Sequence, residues 1–263
     1  MIRQRPVLGS ALVAVVATLG GVEARAWNYQ GHQVVAEVAE SYLSPDVRDR
    51  VDELLRSEGK TRLADIATWA DEMRDLDRPR QPSHAIRLPL TNEHYVQERD
   101  CRNKNCILEA INADLAALKD GEKTVAARVA ALKYLTHFIG DLHQPLHASI
   151  DTGQQNVIFE GKEMTLHGVW DRGLIQCQIN NVRTLLETAP PFDRNDVNVV
   201  SWAEESRSIA RDFIFPNFNK NTNQPVVLEE TYCKKFSGIV VSQLQKAGRR
   251  LANLLNANVA KQK

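Results

Sequence analysis

Lys133-Tyr134-Leu135-Thr136-His137-Phe138-Ile139-Gly140-Asp141-Leu142-His143-Gln144-Pro145-Leu146-His147-Ala148 is the stretch from which the rest of the chain can be read. His137 and Asp141 stand four residues apart. On a helix of 3.6 residues per turn they project from one face and could hold a single cation. His143 points elsewhere. Pro145 lacks a backbone donor and clashes with the preceding turn, so the helix is expected to kink or stop near Gln144 and to re-aim His147. One helix end can therefore feed two metals.

Composition sets the kind of molecule that could house such a site. The chain has 263 residues, 43% of them hydrophobic and 25% charged, which is enough to bury a sizeable core. Its 33 basic residues balance 33 acidic ones, so there is no global cationic field of the kind that draws a protein onto duplex DNA. Any nucleic acid would have to be gripped locally.

Residues 1–26 read as a secretory signal. Arg3 and Arg5 form a basic start, Leu8 to Leu19 is an apolar run, and Ala24-Arg25-Ala26 has the small-x-small form of a cleavage site. The run is short of the ~20 residues that span a bilayer, and no other stretch is long and apolar enough to do so. Cleavage after Ala26 would make Trp27 the new N-terminus and place the protein in a secreted or periplasmic setting without stable membrane association. An oxidising compartment permits disulfides. Cys101 and Cys106 bracket a short polar loop, and Cys177 and Cys233 are then left for each other. Zinc ligation by Cys101 and Cys106 is the rival reading, disfavoured because no second close cysteine pair completes a four-thiolate site.

Outward from the organising stretch, helical spacing dominates. Apolar residues recur at helical intervals in His32 to Tyr42, in a segment opened by Ser44-Pro45-Asp46, in Leu63 to Met73, in Ile107 to Leu118 and in Thr124 to Asp141. Further helices are expected at Val169 to Cys177, Thr184 to Glu187, Val199 to Phe213 and Glu229 to Asn256. Arg78 to Asn105 is Pro-rich and polar and reads as a long loop, and Gly153 to Met164 as a short hairpin. With no internal repeat, low-complexity tract or linker, residues 27–263 are expected to form a mainly helical, all-α single domain with a small hairpin or irregular insertions.

The seven histidines are His32, His84, His94, His137, His143, His147 and His167. His167 and Asp171, in His-Gly-Val-Trp-Asp, repeat the four-residue spacing of His137 and Asp141. Neutral imidazole with carboxylate is a ligand set that suits zinc.

His137-Phe138-Ile139-Gly140-Asp141 followed by Gln144-Pro145-Leu146-His147 resembles the signature of the three-zinc, single-strand-specific type I nucleases, the nuclease S-one and P-one group. That group shares a helical fold with zinc-dependent phospholipase C. The resemblance runs along the chain: Trp27 with Gly31-His32, Trp69-Ala70-Asp71, His94-Tyr95-Val96, the organising stretch, His167 with Trp170-Asp171, and Ala247 to Ala252. It implies three Zn2+ per chain. Asp71, His94, His137 and Asp141 would hold one; Trp27, through its freed α-amine and carbonyl, His32 and a bridging Asp141 would hold a second; His147, His167 and Asp171 would hold a third. An α-amine with a pKa near 8 is readily deprotonated by a metal, so maturation and metal loading would be coupled. His84 competes with His94, and the completed motif Tyr95-Val96 favours His94.

The resemblance also implies a hydrolase that cuts phosphodiesters of single-stranded DNA and RNA to 5′-phosphate products, with 3′-nucleotidase activity on 3′-nucleotides, acting as a monomer. The bridged pair would lower the pKa of a shared water towards ~7 and Asp71 would orient it, while the third zinc stabilises the departing 3′ oxygen. Arg74, on the helical face of Asp71, would neutralise charge on phosphorus. Tyr95 would offer a ring for base stacking, worth ~1 to 3 kcal/mol. Gln97 stands where many fungal members carry an aspartate that hydrogen-bonds a base, so base preference does not transfer. The alternative is a phospholipase C-like phosphodiesterase using the same metals. A non-catalytic domain with structural zinc is disfavoured, since such sites are closed by four protein ligands and the third site here has three.

Overall fold

The computed structural model describes residues 27–77, 81–177, 195–218 and 224–259. The expected signal at 1–26 and the expected helix at Thr184 to Glu187 lie outside the described residues. In order, the helices are α1 (Tyr29–Tyr42), α2 (Pro45–Arg56), a 3-10 turn at Leu63–Ile66, α3 (Trp69–Asp77), the single turn α4 (Gln97–Asp100), α5 (Ile107–Lys119) and α6 (Val125–Leu142). A 3-10 turn at Pro145–His147 and the strands β1 (Asn156–Phe159) and β2 (Lys162–Thr165) follow. Next comes α7, made of Leu166–Gly168, a wide π-type turn Val169–Gly173 and Leu174–Gln176. The chain closes with α8 (Val199–Ile209), which widens into a π-type turn at Ala210–Ile214, the strand β3 (Val226–Val227) and α9 (Tyr232–Val259).

The organising stretch forms the central helix. Thr124 caps α6 by accepting from the Ala127 amide at 3.2 Å. Every residue from Leu135 to Leu142 is buried, the pattern of a helix that is covered on all sides. Gln144 adopts the extended conformation that a following proline demands, and the Pro145–His147 turn redirects the chain.

α1, α5 and α9 pack on α6, and α1 also packs along α9. Two glycines set how closely they approach. A Cβ on Gly248 of α9 would sit 2.5 Å from Val38 Cβ, and one on Gly140 of α6 would sit 2.9 Å from His32 Nδ1. The second approach brings α1 against the polar face of α6.

The strand content is slight. β1 pairs antiparallel with β2 and parallel with β3 in the order β2-β1-β3. The hairpin turns at Glu160-Gly161, both with positive φ (49° and 74°), as a two-residue turn between right-twisted strands requires. Disulfides join Cys101 to Cys106 and Cys177 to Cys233, with Cα separations of 5.3 and 6.2 Å. Neither pair is then available as a thiolate ligand. Among the described residues no helix is long and apolar enough to cross a membrane.

Asp114 of α5 is a local conflict. Its Oδ2 is buried with no hydrogen-bond partner, and burial pushes the carboxyl up to about 7. Unfolded, an aspartate titrates near 3.9, so the folded state binds the proton more tightly. The resulting cost is absent at low pH, grows as pH rises from about 4 to 7 and is complete above that window, on the order of 2–4 kcal/mol. Asp114→Asn is expected to raise the melting temperature by roughly 5 °C at pH 8 and by much less at pH 5, both in chelator. Equal gains at both pH values would assign the effect to another cause.

Candidate metal centre

α6 delivers His137 and Asp141 on one face, as their spacing predicts. His137 Nδ1 lies 2.8 Å from the Ala67 carbonyl and must donate to it, which turns the Nε2 lone pair towards Asp141 Oδ2 at 3.2 Å and Asp71 Oδ1 at 3.5 Å. The Gly140 approach brings in His32 of α1. Its ring stacks on His137 at 3.9 Å, with Nε2 3.3 Å from Asp141 Oδ1. α3 contributes Asp71, whose Oδ1 ion-pairs with Arg74 Nη2 at 2.8 Å.

The fifth member is His84. Its Nδ1 lies 2.8 Å from Asp141 Oδ2 and 3.7 Å from Asp71 Oδ1. It arrives on an extended segment that runs beside residues 147–150. There the Ile86 amide donates to the His147 carbonyl at 2.9 Å, the Ile150 amide donates to the Leu88 carbonyl at 2.9 Å, and Leu88 pairs in parallel with Ser149.

A second cluster forms where Pro145 re-aims the chain. His147 Nδ1 lies 2.9 Å from the His84 carbonyl, and His167 Nδ1 contacts the Thr152 carbonyl. Each Nδ1 is therefore a donor and each Nε2 carries a lone pair. Those two Nε2 atoms face one another at 3.2 Å, with Asp171 Oδ2 3.3 Å from His167 Nε2. Gln144 orients Asp171 by donating from Nε2 to its Oδ1.

These donor sets fit metal ions. Donors about 2.1 Å from a tetrahedral zinc stand roughly 3.3–3.5 Å apart, the spacing found in both clusters. Both ring nitrogens of His32, His84 Nε2, His137 Nε2 and Asp141 Oδ1 are buried without a hydrogen bond, and a cation beside Asp141 would take the lone pairs of His32 Nε2, His137 Nε2 and Asp141 Oδ1 among these costly orphans. Burial draws His147 and His167 down to about 3 and about 4, so both are neutral ligands at pH 7. Burial opposes ionisation of Asp71, but hydrogen bonding and charge from His137 outweigh it and hold the carboxyl at about 2.

The structure corrects the placement of His94. Its side chain is 91% exposed, with Nδ1 3.3 Å from Glu204 Oε1, whereas His84 is buried within the first cluster. Tyr95 is half-buried against the core and Gln97 opens α4 on the surface. Among the described residues, neither makes a hydrogen bond or ring contact with a residue of the two clusters. His143 is fully buried. Its Nδ1 donates to the Ile139 carbonyl at 2.7 Å and its Nε2 accepts from Arg250 Nη1 at 2.9 Å, which leaves no lone pair for a metal.

Trp27 lies between the clusters. Its Nε1 donates to the Gly140 carbonyl at 2.8 Å, beside Asp141, and the Asn28 amide donates to the Asp171 carbonyl at 2.9 Å. The signal that could have found His84 is period-two burial: His84, Ile86 and Leu88 are buried while Ala85 and Arg87 are not. His94 has no such alternation around it.

A helical scaffold that brings buried histidines and carboxylates together in two adjoining clusters has the donor sets of a metal-binding protein. Residues 27–260 match the family model described as S1/P1 Nuclease, and the chain belongs to that family. It is similar to Nuclease PA3 of Penicillium sp, 29% identical over 88% of this chain and 97% of that protein, and to Nuclease P1 of Penicillium citrinum at the same identity and coverage. Endonuclease 3 of Arabidopsis thaliana is 27% identical over 88% of each chain. The protein is therefore a metal-dependent hydrolase of phosphodiester bonds in nucleic acid.

If His84 is the ligand, His84→Ala should weaken zinc retention by more than about hundredfold, beyond the usual cost of losing a group that merely orients a ligand. His94→Ala should leave zinc content unchanged. Elemental analysis after dialysis reads both, and the reverse ranking would restore His94.

Proposed function

We propose that this chain is an exported endonuclease that binds three zinc ions and cuts single-stranded DNA and RNA to 5′-phosphate products, with 3′-nucleotidase activity at the same site. The observation that carries the reading is the pair of lone-pair-bearing nitrogens on His147 and His167, held 3.2 Å apart beside Asp171. Two neutral acceptors repel at this distance unless a shared proton or a metal ion lies between them, and Asp171 beside them completes a metal-ligand set. Asp71, His84, His137 and Asp141 would hold one ion, and His147, His167 and Asp171 another. Removal of residues 1–26 would free the Trp27 α-amine to join its own carbonyl, His32 and Asp141 around the third. Residues 27–263 would then be the mature nuclease domain.

Bound zinc supplies Lewis acidity and a water whose pKa falls towards ~7. The chain's own groups do the remainder. Asp71 is ionised at neutral pH and can accept a proton from the attacking water. Arg74, anchored on Asp71, places a permanent positive charge where the phosphorus gains negative charge in the transition state. Gln144 fixes Asp171, and the Ala67 and His84 carbonyls fix the tautomers of His137 and His147, so the donors need little reorganisation.

The zinc-loaded protein should degrade single-stranded DNA and RNA faster than duplex, lose that activity in EDTA and regain it with Zn2+, and leave phosphatidylcholine intact. Activity on the lipid alone would replace this reading with the phospholipase one. Arg74→Gln is expected to lower kcat about 100-fold with little change in KM, as removal of a donor to transition-state charge does. A loss confined to KM would make Arg74 a ground-state binding residue.

A further inference from the structure

Arg87 lies on the extended segment that carries His84 to one cluster and runs beside His147 of the other. Arg87 Nη1 reaches the Leu146 and Ser149 carbonyls at 3.5 and 3.4 Å, the residues flanking His147-Ala148. Arg87 is exposed, and among the described residues no carboxylate lies within ion-pair distance of it. Most of the other arginines near the site have such a partner: Arg74 has Asp71, Arg99 has Glu93 and Asp100, and Arg250 has Asp196 and Glu205.

Beyond Ser149 the chain borders an open depression of about 570 Å³, lined by Ile150, Asp151, Thr152, Gln154 and Gln155. Ile150 is 61% exposed and offers an apolar floor. Thr152 fixes His167 through its carbonyl, so the depression adjoins the second cluster directly. The one carboxylate on its rim, Asp151, has Oδ1 turned to its own loop, where it accepts from the Gly153 amide at 3.0 Å.

We infer that Arg87 is a specificity-determining residue which binds the 5′-phosphate of the nucleotide whose 3′ oxygen departs at the His147, His167 and Asp171 cluster, with the sugar and base of that nucleotide lying over the Ile150 depression. The inference rests on the proposed nuclease reading and deepens it. A planar guanidinium with only two long carbonyl contacts keeps donors free for two phosphate oxygens, the pairing to which its fork is matched. A nucleotide entering this side then presents one phosphate to the metal ligands and its next phosphate to Arg87. The enzyme would read strand continuity, preferring chains that carry a phosphate on both sides of the nucleotide over those ending in a free 5′ hydroxyl.

The test compares the dithymidine phosphate TpT with its 5′-phosphorylated form pTpT in steady-state assays of the zinc-loaded protein. Wild type is expected to favour pTpT by about tenfold, through KM rather than kcat, the scale of one charge-assisted contact at a partly exposed site. Arg87→Gln should bring that ratio to about one, and Arg87→Lys, which keeps the charge without the fork, should hold it between the two. A ratio near one in wild type, a ratio unchanged in Arg87→Gln, or an equal loss on both substrates would overturn the inference. If Arg87→Gln does not fold, the wild-type ratio and Arg87→Lys decide alone. Failure of wild type to cut single-stranded DNA at all would instead overturn the nuclease reading.

Discussion

A single buried carboxylate organises this protein. Asp141 is fully buried, with Oδ1 facing His32 and Oδ2 facing His84 and His137. An isolated charge in such a place is costly, and the chain meets that cost by converging imidazoles on it from three parts of the sequence. In the metal-free protein a proton performs the service: burial alone would lower His137, but Asp141 outweighs it and raises the ring to about 10. Cations and protons thus compete for the same lone pairs, and metal loading releases a proton.

The end of α6 is secured to keep that carboxylate in place. The last carbonyls of a helix have no intrahelical partner. Here Ser206 Oγ donates to the Leu142 carbonyl at 2.7 Å and Gln243 Nε2 to the His143 carbonyl at 3.0 Å. His143 itself is tied to Arg250, which reaches on to Asp196 and Glu205 at 2.8 and 2.7 Å. α6 is therefore pinned to α8 and α9 through groups that never meet a metal. The same helix end leads through Gln144 and Pro145 to His147, so one secured terminus feeds both clusters.

Placing two clusters on one connected frame also couples them. The His84 carbonyl holds His147, and Trp27 and Asn28 tie Gly140 to Asp171. A displacement at one cluster is felt at the other through short, hydrogen-bonded backbone. For a reaction in which phosphorus, attacking oxygen and departing oxygen must be stabilised together, such rigidity favours a preorganised site over one assembled on binding.

Helical periodicity by itself marked the longer helices of the described chain, though not the single turn α4 inside the segment read as a loop, nor the division of Leu63 to Met73 into a 3-10 turn and α3. The four-residue spacings determined the pairs His137 with Asp141 and His167 with Asp171, because both are consequences of local geometry. Pro145 likewise announced the break that redirects His147. What only the tertiary structure decided was which distant residue completes each set. As letters, His94 with its Tyr95-Val96 motif is the favoured ligand over His84, and the structure reverses that order. His84 enters the cluster because its segment alternates buried and exposed residues and hydrogen-bonds along residues 147–150, while His94 sits on a surface turn facing Glu204. His143 looked peripheral because its partner, Arg250, lies 107 residues away and nothing local announces it. Arg87 carried no signal at all, since its place beside His147 depends on backbone pairing between two segments that are far apart in the chain.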